Sequence, residues 1–145
     1  MHLLDTHVVS ELRKLRSGRA DRRVGIWASS TPVGEFFISV ITLMELEAGV
    51  LLVARRDPAQ GALLRAWLNE QVIPGFSGRV LPVDCAVALR CAALHVPDPR
   101  PERDALIAAT ALVHGMTVVT RNVADFLPMG VALLNPWESV AAARP

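Results

Sequence analysis

The feature that most constrains this chain is a repeated pairing of short apolar strand-like segments with helical ones. Leu3-Leu4 forms a buried strand end that opens into Asp5, and a helix follows through Val8, Val9, Leu12 and Leu15 until Gly18. Asp21 to Ala28, with Val24, Ile26 and Trp27, reads as a second helix. Phe36 to Ile41 is rich in β-branched and aromatic residues and reads as a strand. A helix then starts at Thr42–Glu45, runs to about Ala54 and is broken at Asp57-Pro58; another spans Gln60 to Gln71. Pro74-Gly75 and Ser77-Gly78 bracket a turn, Arg79 to Val83 is a short strand, and Asp84 caps a helix through Ala92. Pro97, Pro99 and Pro101 exclude regular structure from Val96 to Arg103. An apolar helix from Asp104 to Val113 stops at Gly115, Met116 to Thr120 is a buried strand, Asn122 to Phe126 a loop, and Val131 to Leu134 a last strand. Strands alternating with helices predict a three-layer α/β fold with a mainly parallel sheet.

Length and composition agree with one such domain. The chain has 145 residues, 52% of them hydrophobic, enough to bury a sizeable core. No apolar run approaches the roughly 20 residues of a membrane helix, and Met1 to Asp5 lacks the basic n-region of a signal peptide. A soluble cytoplasmic protein is expected, and the apolar surplus predicts surface buried against another chain. The net charge is +1, so no global basic field advertises nucleic-acid binding. Lys14 is the single lysine, and Arg13, Lys14, Arg16, Arg19, Arg22 and Arg23 crowd one short region. Arginine forks suit phosphate contacts, although a solvated loop accounts for the same bias. Cys85 and Cys91 are separated by about 9 Å of helical rise, too far for a disulfide, and are expected as small core residues.

The acids carry the chemistry. In an open parallel sheet, ligands sit beyond the carboxyl ends of the strands. Asp5 ends the first strand, Glu45 lies in the first turn of the helix after the next, Asp104 begins the apolar helix, and Asp125 follows the strand that ends at Thr120. All four therefore fall on one sheet edge. Each has a structural alternative: Thr42-x-x-Glu45 matches a capping box, Asp104 suits a helix dipole, and Asp125 fits an Asx-turn. Asp5 has none so inexpensive, because an acid ending a buried strand is costly. Four gathered carboxylates repel one another unless a cation joins them. Mg²⁺ or Mn²⁺ prefers oxygen ligands, and such an ion activates water for attack on a phosphodiester.

These residues resemble a known family. Leu3-Leu4-Asp5-Thr6-His7-Val8-Val9-Ser10-Glu11-Leu12, Ser39-x-x-Thr42-x-x-Glu45-Leu46, Asp104 to Ala111, and Thr120-Arg121-Asn122-x-x-Asp125-Phe126 are similar to the successive motifs of PIN-domain toxins. The set is similar to the VapC group, and in particular to its FitB-like branch, where an ending like Asn135-Pro136-Trp137 also occurs. The resemblance covers essentially the whole chain and implies a single PIN domain over 1–145. It implies an Mg²⁺-dependent endoribonuclease, with Mn²⁺ able to substitute, that hydrolyses RNA through a metal-activated water without a covalent intermediate. Carried over residue by residue, Asp5, Glu45, Asp104 and Asp125 match the acidic positions, and Thr120 and Asn122 the supporting polar ones. Asp5, Asp104 and Asp125 hold metal, while Glu45 completes the shell or orients water. The resemblance also implies a homodimer and a cognate VapB-like antitoxin, which blocks the site and supplies the operator-DNA contacts. Its peptide is expected to cover the acidic edge with an arginine reaching in, along a groove of Leu12, Leu15 and the helix after Glu45. Two features depart from the family: His7 replaces the commoner Asn, and the proline-rich segment before Asp104 is short.

Competing classes fit less well. A haloacid-dehalogenase-type phosphoryl-transfer domain needs an Asp where His7 stands, and it shares with a receiver domain the need for a late lysine that this chain lacks. There is no Gly-rich P-loop or dinucleotide fingerprint, and His2, His7, His95 and His114 match no zinc spacing. A catalytically degenerate PIN module that only binds a protein or nucleic-acid partner remains as the alternative, although a binding scaffold has no use for four mutually repelling acids.

Overall fold

The computed structural model describes residues 1–138; residues 139–145 of the expected domain lie outside them. Five parallel strands, β1 (His2–Leu4), β2 (Phe36–Ser39), β3 (Val80–Leu81), β4 (Thr117–Val119) and β5 (Leu133–Leu134), form one sheet in the order β3-β2-β1-β4-β5. Strands buried on both faces need apolar residues at every position, which explains the continuous Leu3-Leu4 and Val118-Val119 runs. Alternation sends them opposite ways. Leu3 and Val118 join one core cluster with Ile107 and Phe126, while Leu4 and Val119 join the other with Val8, Trp27 and Ile38. The expected three layers follow directly.

The helices are α1 (Thr6–Leu12), α2 (Arg22–Ser29), α3 (Val40–Arg56), α4 (Pro58–Trp67), α5 (Ile73–Gly75), α6 (Cys85–Leu94), α7 (Glu102–His114) and α8 (Val123–Phe126). Several bounds differ from the sequence reading for identifiable reasons. The helix expected from Thr42 begins at Val40, because the Ser39 hydroxyl accepts the Ile41 N–H at 3.0 Å and serves as the N-cap. Thr42 is therefore an interior helical residue, fully buried, and the capping box is not formed. The helix expected from Gln60 to Gln71 starts at Pro58, which suits a first helical position. It continues through a π-helical turn, Leu68–Val72, into α5, so Pro74-Gly75 is helical rather than a turn. The helix after the proline-rich segment begins at Glu102, with Pro101 as its N-cap, and stops at Gly115 (φ 65°) as expected. Asn122 to Phe126, read as a loop, contains the short α8. Cys91 is buried as expected, whereas Cys85 is exposed at the first position of α6.

Candidate active site

β1 lies at the centre of the sheet, with β2 on one side and β4 on the other. The connections leaving β1 and entering β4 run in opposite directions, which opens a crevice at their carboxyl ends. Asp5 sits in that crevice. Its backbone N–H donates to Val119 O at 2.9 Å, so the residue after β1 stays in register with β4 and its side chain is 5% exposed. The Thr6 N–H donates to Asp5 Oδ1 at 2.8 Å, and the fully buried Thr120 hydroxyl donates to Oδ2, also at 2.8 Å. Thr120 Oγ1 in turn accepts the Asn122 N–H at 3.0 Å. Burial raises the Asp5 pKa above the ordinary carboxylate range, and the Thr120 and Thr6 hydrogen bonds oppose that rise.

The other acids come from three further elements. Glu45 lies in the second turn of α3, not the first, because the helix starts two residues earlier than expected. Its Oε1 accepts the Thr6 hydroxyl at 2.7 Å, and its Oε2 lies 3.5 Å from Arg103. Asp104 stands in the first turn of α7. Its pKa is raised first by burial and then by the nearby charges of Asp5, Asp125 and Glu45. Asp125, on α8, is the exposed member. The Asx-turn that would explain Asp125 structurally is not formed, since its side chain accepts no hydrogen bond among the described residues. The structure thus brings all four predicted acids to one crevice.

Thr120 buttresses Asp5, and Asn122 acts through its backbone N–H. His7 is exposed on α1; its charge, when present, lowers the Asp5 pKa. Sequence reasoning missed two residues. Thr6 ties Asp5 to Glu45, and Arg103 partly offsets the acidic charge; both are immediate neighbours of a predicted acid, the one signal that pointed to them.

The donor set is all oxygen, which fits a hard divalent cation such as Mg²⁺ or Mn²⁺. The acids ring the crevice rather than forming a closed cage. Among the described residues, no three of them place one oxygen each within 4.8 Å of the others. An ion held there would take part of its coordination from water. Elsewhere, Cys91, His95 and Glu102 do bring ligand atoms that close together. However, His95 Nδ1 accepts the Arg100 N–H at 3.0 Å, so its Nε2 carries the ring proton toward Cys91 Sγ (3.7 Å) and Glu102 Oε2 (3.5 Å). No nitrogen lone pair is free for a metal, and the trio braces the α6–α7 junction.

Fold and crevice together define a parallel α/β domain with an all-carboxylate cleft at its switch point. The chain belongs to the PIN-domain family, whose model matches residues 2–126. It is 37% identical over 142 residues to the toxin FitB of Neisseria gonorrhoeae, covering 94% of this chain and 99% of that protein. It is 34% identical over 143 residues to the VapC ribonuclease Y4jK of Sinorhizobium fredii, covering 95% and 99%. The fold superposes on a crystal structure of FitAcB from N. gonorrhoeae with a TM-score of 0.85 at 34% identity, covering 95% of this chain and 99% of that one. A second structure, of FitAB bound to a DNA fragment, matches equally well, covering 96% of its chain. A toxin–antitoxin complex from Klebsiella pneumoniae matches with a TM-score of 0.63 at 29% identity, covering 95% and 99%.

Proposed function

We propose that the chain is a single PIN domain acting as the toxin of a type II toxin–antitoxin pair, a cytoplasmic endoribonuclease dependent on Mg²⁺, with Mn²⁺ able to substitute. The observation that carries this reading is the meeting of acids from separate parts of the chain: Thr6 ties Asp5 to Glu45, Glu45 reaches Arg103 beside Asp104, and Asp104 feels the charges of Asp5, Asp125 and Glu45. Asp5, Asp104 and Asp125 hold the ion, and Glu45 completes its shell or orients a water. When bound, the ion supplies a water of lowered pKa and neutralises charge developing on the scissile phosphate.

The chain's own groups prepare that chemistry. Thr120 and Thr6 each occupy one Asp5 oxygen, which fixes the carboxylate plane and leaves the remaining lone pairs for the cleft. The Thr6 hydroxyl holds Glu45 toward the same space, and Arg103 restrains its other oxygen. Burial and mutual repulsion raise the Asp5 and Asp104 pKa values, and a bound cation would offset both causes.

An antitoxin partner is supported by an apolar groove of ≈ 240 Å³ between α1 and the α4–α5 region, lined by Val9, Leu12, Trp67, Val72 and Phe76. Arg13 and Trp67 are shared with a neighbouring hollow that reaches Thr6 and Glu45. A peptide filling both carries an arginine to the acids, and operator DNA is contacted through that partner. Leu51 and Leu52 on α3 and Leu63 on α4, all more than half exposed, supply apolar surface for a homodimer. No helix among the described residues is long and apolar enough to cross a membrane.

The test is Asp5→Asn and Asp104→Asn, with cleavage of cellular RNA and Mn²⁺ uptake read side by side. Both variants should fold, lose cleavage by at least two orders of magnitude and weaken Mn²⁺ binding. Wild-type protein that takes up no Mn²⁺ specifically would instead support a degenerate binding module. Equal cleavage by all three proteins would reveal a contaminating nuclease.

A further inference from the structure

The Asn135-Pro136-Trp137 motif and Arg23 of α2 have no part in the chemistry above, yet they meet at the rim of the cleft. Val119 pairs with Leu4 on one side and with Leu134 on the other, and the Thr120 N–H donates to Leu134 O at 3.0 Å. The segments after β1, β4 and β5 therefore emerge side by side, about 4.8 Å apart. Asp5, Thr120-Arg121 and Asn135–Trp137 occupy neighbouring positions on that edge.

Trp137 is held from three directions. Its indole packs against the core cluster that contains Leu4 and Val119. Its backbone N–H donates to Asn135 Oδ1 at 3.0 Å, and its backbone carbonyl accepts from Arg23 Nη1 at 2.9 Å. The ring so fixed carries the exposed Arg121 guanidinium 5.1 Å from its centroid. Among the described residues no carboxylate lies within ion-pair distance of Arg121. The ring contact restrains the exposed guanidinium before any ligand arrives, which lowers the ordering cost of a later phosphate contact.

We infer that Arg121, preorganised on Trp137, binds a backbone phosphate of single-stranded RNA next to the nucleotide cleaved, and that Trp137 is its positioning residue. This rests on the ribonuclease reading of the acidic cleft. Even with one divalent ion and Arg103, four acids leave negative charge in the cleft, so a fixed cation just outside it favours the strand. Arg121 is one residue beyond Thr120, whose hydroxyl touches Asp5, which puts the phosphate contact at the edge of the reacting centre. One arginine of the basic cluster, Arg23, thereby serves as a strut rather than as a direct RNA contact.

The experiment is an anisotropy titration of a short, labelled, randomised-sequence oligoribonucleotide across a salt series, on an Asp104→Asn background to prevent cleavage. Arg121→Ala should raise Kd about tenfold and flatten the slope of log Kd against log salt by about 0.7, the value of one single-strand phosphate contact. Arg121→Lys should restore the slope but only part of the affinity. Trp137→Phe should stay close to the parent, and Trp137→Ala should weaken binding with a smaller loss of slope. In the otherwise wild-type protein, Arg121→Ala should raise KM for RNA far more than it lowers kcat and should leave Mn²⁺ uptake unchanged. An Arg121→Ala protein with parental Kd and slope overturns the inference, whatever Trp137→Ala does. If wild-type protein neither binds Mn²⁺ nor cleaves RNA, the ribonuclease reading itself has failed, a separate result.

Discussion

Thr120→Val is the most informative single substitution, because it removes one hydroxyl and leaves the volume nearly unchanged. Thr120 is fully buried and Asp5 is 5% exposed, so no water replaces the 2.8 Å bond to Oδ2. The other bond to Thr120, from the Asn122 N–H, lies at an exposed residue where water is available. The loss is therefore dominated by one hydrogen bond to a buried carboxylate, about 1.5–3 kcal/mol when that group is ionised and about 1 kcal/mol when it is neutral. Burial already raises the Asp5 pKa, and Thr120 is the strongest influence opposing the rise. Removing it pushes the pKa higher still. The destabilisation in EDTA should be larger at neutral pH than at a pH low enough to protonate Asp5. Mn²⁺ affinity should fall about 10- to 100-fold, as for loss of a group that orients a metal ligand. Denaturant melts at both pH values and Mn²⁺ calorimetry measure these effects, with Thr120→Ser as the hydroxyl-retaining control. A pH-independent loss of stability, with Mn²⁺ affinity unchanged, would refute the claim that Thr120 acts through Asp5.

Further outcomes follow from the same geometry. Asp104 has a folded pKa above its unfolded one, so its ionisation opposes folding: the stability is complete below the ordinary carboxylate range and is lost as pH rises through the raised value. In EDTA, Asp104→Asn should therefore be more stable than wild type at neutral pH, with the advantage vanishing in acid and reversed by saturating Mn²⁺; an advantage that is flat with pH would contradict this. Glu11 is the opposite case. Its pKa is lowered, chiefly by accepting the Asp21 N–H at 2.7 Å, so its contribution is present at neutral pH and lost in acid. Glu11→Gln should cost stability at neutral pH and progressively less below the ordinary carboxylate range, as read by thermal melts. At the α3–α4 contact, a Cβ added to Gly61 would lie 2.5 Å from the Ala54 Cα, so Gly61→Ala must separate the two helices. A loss of about 1–3 kcal/mol is expected in a denaturant melt, and an unchanged midpoint would show that the helices part without cost.

Much of this architecture was legible in the residues themselves. Leu3-Leu4 and Val118-Val119 are apolar on both faces, which only a covered parallel sheet requires, and Gly115 marks the left-handed stop of α7. Asp84 capped its helix as its position indicated, accepting the Val87 N–H at 3.0 Å. Local signals failed where two competed. Ser39 and Thr42 are both capable N-caps, and the choice depended on where β2 ends, which is a matter of pairing with β1 and β3. Pro74-Gly75 has turn chemistry, yet the packing of Leu68 and Val72 into the core holds the helix through it.

The sequence by itself determined the α/β class, the strand edge on which each acid emerges and the family that its motifs resemble. These are properties of hydrophobic period and residue order, which do not depend on distant contacts. Only the tertiary structure decided that Asp104 feels the charges of Asp5, Glu45 and Asp125, that Thr6 links two of the acids, and that the Arg121 guanidinium lies over the Trp137 ring. Those relations join residues as many as 99 positions apart, Asp5 and Asp104. They exist because β1 lies between β2 and β4, a strand order that no local segment encodes.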